Sequence, residues 1–366
     1  MEIMVYGAKS IALGTYKAVR ELYPEYPIKG FLVSSRRDNP SMLAGVPVWE
    51  IGEFSRQVNQ EQKENICILI GTPEDIHPEI VKMIETHGYK NYICMDSHRE
   101  AKLMETYFTK LGVFPSLHSL PGSKNVQLNE EDMPKLQVFM IQFYKDRPLE
   151  SVEKFPEWVY PIQVGAALTD VRTAEITDDT GENISKKNGN YCEMTAFYWL
   201  WKNRLMDVAD EMEYYGFFHY RRILDIKTED LKRIKANNVD VILQFPTLHE
   251  PDIREHHARY VREEDWEAML QALEELRPEY AKAYSEIFSQ TYFYNYNLII
   301  AKKRVLADYC TWLFPILERT EELSSPRGWE RSDRYTAYMS ESLLTLYFLY
   351  NQKRLNICHT GRFMLT

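Results

Sequence analysis

Cysteine, net positive charge and long apolar runs are all scarce in this chain. Its five cysteines are widely scattered and form no C-x-x-C pair, which excludes a disulfide scaffold or zinc ribbon and implies reduced thiols in a cytoplasmic protein. No stretch approaches the roughly 18 apolar residues that a membrane span needs; the best runs, Ile66 to Ile70 and Leu343 to Tyr350, are short or interrupted. Lysine and arginine number 44 against 54 aspartates and glutamates, a net charge of −10, so no nucleic-acid partner is expected and any polyanionic ligand needs local basic groups. The start, Met1 to Gly7, has no basic n-region and reads as a strand rather than a signal peptide. G-x-S-x-G, P-loop, kinase and H-E-x-x-H signatures are missing.

What is present is globular. Hydrophobic residues make up 45% and charged residues 27% of 366 positions, more chain than one hydrophobic core usually takes. Two α/β domains are expected, residues 1–115 and 136–366, joined by a Pro- and Gly-punctuated linker over 116–135. The 25 tyrosines suit sugar-stacking surfaces and ordinary core filling alike.

Residues 1–115 alternate apolar runs with helical patterns. Strands are predicted at Ile3–Tyr6, Lys29–Ser34, Ile66–Gly71 and Asn91–Met95, and helices at Ser10–Leu22, Ile76–His87 and His98–Leu111, a four-strand parallel Rossmann-like sheet. Its first turn, Gly7-Ala8-Lys9-Ser10, has the place of a phosphate-binding loop. Gly7, Lys9 and Ser10 are therefore candidate nucleotide-binding residues. Lys9 stands where the second glycine of G-x-G-x-x-G belongs, and no ribose-binding acid follows the second strand, which argues against a nicotinamide oxidoreductase. The segment Ala44-Gly45-Val46-Pro47-Val48-Trp49 resembles the N-terminal domain of bacterial sugar-nucleotide acetyltransferases.

In the second half, strands are predicted at Leu136–Phe143, Tyr214–Ile223, Val239–Phe245 and Tyr296–Ala301. Helices are predicted at Tyr191–Arg204, Glu263–Arg277, Pro278–Phe288, from Val305 with a kink at Pro315, and at Asp333–Asn351. Asn190 with Glu193 has the spacing of a capping box. As one continuous strand, Tyr214–Ile223 places His219 and Arg221 on one face and Arg222 on the other, at the end where α/β sheets bind ligands. A cation cluster there suits a diphosphate, or forms an exposed salt-bridge network. The loop Asn183 to Asn190 offers donors to sugar or phosphate, or only caps the next helix. Glu341, an acid in an apolar-rich helix, is a candidate general base, or a salt-bridged helix residue. His249, His256 and His257 lack metal-site spacing and are expected in a loop.

The ordered segments Tyr160 to Leu168, Gly181 to Ser185, Tyr191 to Asn203, His219 to Arg222, Asn295 to Ile300, Tyr309 to Phe314 and Tyr338 to Leu344 together resemble one family. It is the capsular polysaccharide synthesis family carried as domain of unknown function 4422, and the resemblance covers about residues 136–360. It implies a GT-A-type α/β glycosyltransferase domain that takes a sugar from a UDP-sugar donor to a saccharide or lipid-linked saccharide acceptor, with peripheral contact at the inner face of the membrane. On that reading His219, Arg221 and Arg222 stabilise the leaving diphosphate, and Glu341 or, second, Glu193 is the base. Gln163, Gly165, Asn183, Ser185, Lys186 and Asn188 contact sugar or nucleotide, and Mn²⁺ or Mg²⁺ would need Asp225 or another acid. The sequence departs from the family pattern at Gln142-Phe143-Tyr144-Lys145, where Thr-His-Lys is usual, at Ala337 for glycine and at Ser342 for a basic residue. The rival from another class is a non-catalytic sugar-nucleotide-binding or scaffold protein of a polysaccharide assembly complex.

Overall fold

A computed structural model describes residues 1–122, 133–149 and 155–365. Part of the expected linker, residues 123–132, lies outside them.

The first sheet is built from β1 (Glu2–Tyr6), α1 (Ser10–Leu22), β2 (Ile28–Val33), β3 (Met42–Leu43), β4 (Val46–Glu50), α2 (Ile51–Gln57), α3 (Gln60–Glu64), β5 (Ile66–Ile70), α4 (His77–Thr86), β6 (Tyr92–Cys94) and α5 (Ser97–Leu111). Its order is β3-β4-β2-β1-β5-β6, parallel throughout except for the short edge strand β3. Two strands more than expected are present, because Met42 to Glu50 is short and broken by Gly45 and Pro47, which hides two paired strands. Alternation along the strands separates two cores. Val5, Phe31 and Val33 pack with α1 and α5, whereas Met4, Tyr6, Leu32 and Ile68 pack with α2 and α4. At Gly7 the chain turns with φ +110°, and an added Cβ would stand 2.9 Å from the Gly71 carbonyl oxygen, so only glycine fits this turn.

The second sheet follows, from β7 (Leu136–Phe143), β8 (Val159–Val164), β9 (Ile176–Thr177), α6 (Asn188–Tyr191), α7 (Met194–Leu200), β10 (Tyr214–His219), β11 (Arg222–Leu224), α8 (Thr228–Ala236), β12 (Val241–Gln244), β13 (Thr247–Leu248), α9 (Arg254–Tyr260), α10 (Glu263–Leu276) and α11 (Pro278–Phe288). It is completed by β14 (Tyr292–Phe293), β15 (Ile299–Lys302), α12 (Lys303–Leu323), α13 (Tyr335–Asn351), β16 (Ile357–Thr360) and β17 (Arg362–Met364). The main order is β16-β12-β15-β10-β7-β8-β9, with β15 antiparallel to both neighbours. The carboxyl ends of β7, β8, β10, β12 and β16 and the entry to β15 therefore share one edge. One face, with Phe139, Phe217 and Leu243, packs on α7, α10, α12 and α13; the other, with Val138, Met140 and Ile242, packs on α8. The mixed α/β class with parallel sheets is as expected.

Three local expectations are corrected. Tyr214–Ile223 is not one strand: the chain turns at Tyr220-Arg221, and His219 pairs with Arg222 across the β10–β11 hairpin. Directly paired residues point the same way, so Arg222 shares the face of His219. The helix expected from Tyr191 is broken at Cys192, with φ 45°, and ends in a π-turn over Trp201–Leu205. No capping box forms. Asn190 instead donates to the carbonyls of Gly328 and Arg331 and accepts from the amides of Asp333 and Arg334, tertiary partners that displace the local pair. The helix expected from about Val305 is α12, Lys303–Leu323, with Pro315 inside it.

The two sheets are held by an apolar seam. Phe108 of α5 stacks on Phe245 at 5.5 Å between ring centroids and meets Phe114 and Tyr292 edge-on. Arg362 of β17, 11% exposed, pairs with Glu100 of α5 at 3.1 Å, and Ser97 Oγ accepts from the Met364 amide. Phe108 is fully buried, so Phe108→Ala is expected to cost about 3–5 kcal/mol, measured as a lowered urea midpoint with the slope unchanged.

Candidate functional site

The carboxyl edges of both sheets line one cleft of about 840 Å³. The first sheet contributes the turns after β1, β2 and β5; the second contributes the end of β10, the entry to β15, the first half of α13 and α9.

Its most ordered part is a network of buried carboxylates. Glu341 is 7% exposed on α13, a helix buried on almost every side and therefore rich in apolar residues all round. A buried carboxylate needs partners. Glu341 Oε1 accepts the Tyr296 amide at 2.8 Å, and Oε2 lies 3.1 Å from His256 Nε2. Glu193, also buried, accepts from Asn297 Nδ2 at 2.8 Å, which also bonds Ser340 Oγ. Burial, reinforced by the neighbouring Glu341, pushes the Glu193 carboxyl up to about 7. His219 Nε2 stands 3.8 Å from Glu193 Oε1. Burial, with Arg222 and Arg334 nearby, lowers His219 to about 3, so it is neutral at physiological pH and acts as a hydrogen-bonding group rather than a cation.

Backbone strain gathers at the same place. Cys192, Tyr296, Asn297 and Arg334 all have φ between 45° and 67°, a region that non-glycine residues occupy at a cost. The strain is used: it aims the Tyr296 amide at Glu341, carries the Asn297 amide to Glu193, and starts α13 with Arg334, whose Nε donates to Cys192 Sγ at 3.2 Å.

Around this network stand Lys9, Arg37, Arg221, Arg222, Arg259 and Arg334, against the carboxylates of Asp146, Glu193 and Glu341. Arg222 lies over the Tyr296 ring at 4.3 Å from its centroid. Arg221 reaches across to Asp75 of the first half at 3.4 Å. In a chain with net charge −10, this wall is basic locally.

Of the residues singled out from sequence, Gly7, Lys9, Ser10, Glu193, His219, Arg221, Arg222 and Glu341 line the cleft. The others do not. Gln163 closes the turn after β8, bonding the Val171 carbonyl and the Thr173 amide. Buried Asp178 accepts from the Gly165 and Ala166 amides and from Ser185 Oγ. Asn183 bonds the carbonyls of Asp179 and Gly181, Asn188 bonds the Cys192 carbonyl, and Lys186 is exposed. These groups are engaged in shaping the loop. His256, expected in a loop, lies on α9. His256 was weighed only as a metal ligand and Tyr296 and Asn297 only within the Asn295 to Ile300 segment, while Arg259 and Arg334 were missed, since no local spacing marks them.

Among the described residues no group of three or more His, Cys, Asp or Glu side chains is placed to hold a metal ion. Asp225 lies outside the cleft, in a separate hollow beside Glu105 and Gly361.

Two sheets whose carboxyl edges meet on a basic, carboxylate-bearing cleft define a mixed α/β protein with the fold of a glycosyltransferase. The structure matches that of the bifunctional glycosyltransferase WbbM in its apo form, with a TM-score of 0.51 and 24% identity over 63% of this chain and 45% of that one. The chain thus spans less than half the length of that relative. It belongs to the family described as Domain of unknown function (DUF4422), which matches residues 150–353. The Mn/GDP form of core-mannan synthase A (CmsA/Ktr4) from Aspergillus fumigatus aligns with a TM-score of 0.20 and 10% identity over 94% of this chain and 69% of that one, too loosely to bear on the argument. No curated protein matches the sequence. Among the described residues no helix is long and apolar enough to cross a membrane.

Proposed function

We propose that the chain is a glycosyltransferase that moves a sugar from a nucleoside diphosphate sugar, a UDP-sugar, to a saccharide acceptor in capsular or exopolysaccharide synthesis. Residues 1–115 and 136–366 serve as its two domains, the second of GT-A type, in the cytoplasm or at the inner face of the membrane. The observation that carries this reading is the cleft itself, where Arg221, Arg222 and Arg334 surround the carboxylates of Glu193 and Glu341 at the carboxyl edge of the family-matched sheet.

The arginines hold the donor diphosphate by charge-assisted hydrogen bonds and stabilise the charge that develops on it as it leaves. Neutral His219 adds a hydrogen bond. The bond between the anomeric carbon and the diphosphate oxygen breaks, the acceptor oxygen bonds to that carbon, and Glu341 takes the acceptor's hydroxyl proton. His256 and the Tyr296 amide fix the carboxylate for that transfer.

Titration calorimetry with UDP, UDP-glucose and UDP-galactose on the whole chain tests the reading. Saturable UDP binding is expected, weakened about 10- to 100-fold in Arg222→Ala, as loss of a hydrogen bond to a charged group implies. Absence of UDP binding would overturn the proposal, and UDP binding without sugar transfer would favour the scaffold reading.

A further inference from the structure

Arg221, Arg222 and Arg334 face the cleft from the second half of the chain, and each is held differently. Arg221 pairs with Asp75 at 3.4 Å, and Arg334 donates to Cys192 Sγ at 3.2 Å. Among the described residues the Arg222 side chain has neither an ion-pair nor a hydrogen-bond partner; what it rests on is the Tyr296 ring, 4.3 Å from the centroid. Its fork of donors is thus available to an anion, and the ring fixes where the fork points. A guanidinium on a long stem loses rotamer freedom when it grips a ligand, and a ring that already orders it lowers that cost.

Tyr296 is in turn held by a second arginine. Arg362 of β17 lies over the same ring, 4.9 Å from the centroid. In the β11–β17 ladder Arg222 pairs with Met364 and Leu224 with Arg362, so Arg222 and Arg362 project from one face of the ribbon, with the Tyr296 ring against both. Arg362 Nη2 reaches both carboxylate oxygens of Glu100 on α5, at 3.2 and 3.1 Å. Two like charges on one ring repel; Glu100 offsets the charge of Arg362 and leaves Arg222 as the uncompensated cation at the cleft. Neither Arg362 nor Glu100 lines the cleft. With Arg222 and Tyr296 they line a separate small hollow. Tyr296 also meets the base, its amide donating to Glu341 Oε1 at 2.8 Å from a left-handed backbone, so one residue supports the donor cation with its ring and the base with its amide.

We propose that Arg362, anchored by Glu100, is a positioning residue for the donor site: it holds the Tyr296 ring on which Arg222 rests, so that the first half of the chain, through Glu100, helps to hold the donor diphosphate without touching it. This rests on the assignment of Arg222 to the donor made above.

Titration calorimetry of UDP into the whole chain tests it in a cycle of four proteins: wild type, Arg222→Ala, the pair variant Glu100→Gln/Arg362→Gln, which strands no charge, and all three substitutions combined. The pair variant is expected to bind UDP about fivefold or more weaker. In the Arg222→Ala background the same pair is expected to change nothing further, because an indirect effect vanishes once the group it acts through is gone. UDP affinity unchanged in the pair variant overturns the proposal. So does a further loss of similar size on top of Arg222→Ala, which is what general loosening of the fold would give. Should the pair variant not fold, Arg362→Lys takes its place in the cycle. Lysine keeps a charge for Glu100 but not the flat guanidinium on the ring, and the same two outcomes apply to an expected loss of about twofold. If the wild-type chain binds no UDP, the donor reading fails by itself. The Nε–Hε NMR signal of Arg222, identified by its absence in Arg222→Ala, then decides: a signal moved in the pair variant supports the positioning role, and an unmoved one overturns it.

Discussion

Lowering the pH from 7 to 5 is expected to remove roughly 6 kcal/mol of folding stability, with acid unfolding following between pH 5 and 4. The cause is a set of histidines buried as neutral rings. His359 is 3% exposed. Its Nδ1 faces the Pro115 carbonyl, which can only accept, so Nδ1 carries the proton and Nε2 accepts from Tyr294 Oη at 2.7 Å. Burial lowers this ring to about 3, as it does His249. His257, stacked on Trp266 at 3.7 Å between centroids, is lowered by burial to about 4. Each has a folded value below its unfolded value near 6.5, so the unfolded chain takes up protons that the native chain refuses, and stability falls as pH drops below that value. His219, lowered to about 3 in the same way, joins them, and at pH 5 each ring contributes a loss of about 2 kcal/mol, roughly 8 for the four. Glu193 acts in the opposite sense: its value is raised to about 7, so it favours the fold as pH falls and returns about 2 kcal/mol over the same interval. The histidines win. Urea midpoints followed by circular dichroism across this range check the sum, and His359→Gln should shrink the pH dependence by about 2 kcal/mol. Stability independent of pH between 7 and 5 would contradict the neutral, buried state of these rings.

Glu341→Gln is expected to lower turnover by about 10²- to 10⁴-fold, the range for removal of a general base, while leaving UDP affinity within about twofold. Glutamine keeps the shape and can still accept the Tyr296 amide, so the fold is retained, but it cannot take the acceptor's proton. The comparison variant is Glu193→Gln. Full turnover in Glu341→Gln together with collapse in Glu193→Gln would transfer the role to Glu193, whose elevated value near neutrality also suits a base.

Several of the residues on which these expectations rest were legible in the linear sequence, each through a local signal. His219 and Arg222 were found because a strand end carrying cations is conspicuous, although the hairpin at Tyr220-Arg221 reversed the face assigned to Arg222. Glu341 was found because one acid stood in an apolar helix, and Gly7 because a glycine followed the first strand. Arg334 carried no such signal, and Tyr296 and Asn297 stood out only within the family-like segment Asn295 to Ile300. Their left-handed backbone is imposed by packing, and arginine, tyrosine and asparagine are ordinary residues anywhere along a chain. Asn190 and Glu193 gave a signal that misled, since a capping-box spacing was overridden by bonds to residues more than a hundred positions away.

By itself, then, the sequence determined the alternation of strands and helices, the mixed α/β class and the chemically conspicuous residues that line the cleft, because periodicity and turn chemistry act over a few residues. The tertiary structure alone decided that β15 runs antiparallel and so brings Tyr296 and Asn297 to the same edge as His219. It also placed α9 so that His256 meets Glu341, and closed Lys9 and Arg259 over one cleft from opposite ends of the chain. Those choices belong to strand order and to the Phe108–Phe245 seam, where burial of apolar surface between distant segments, which no local window contains, fixes which side chains meet.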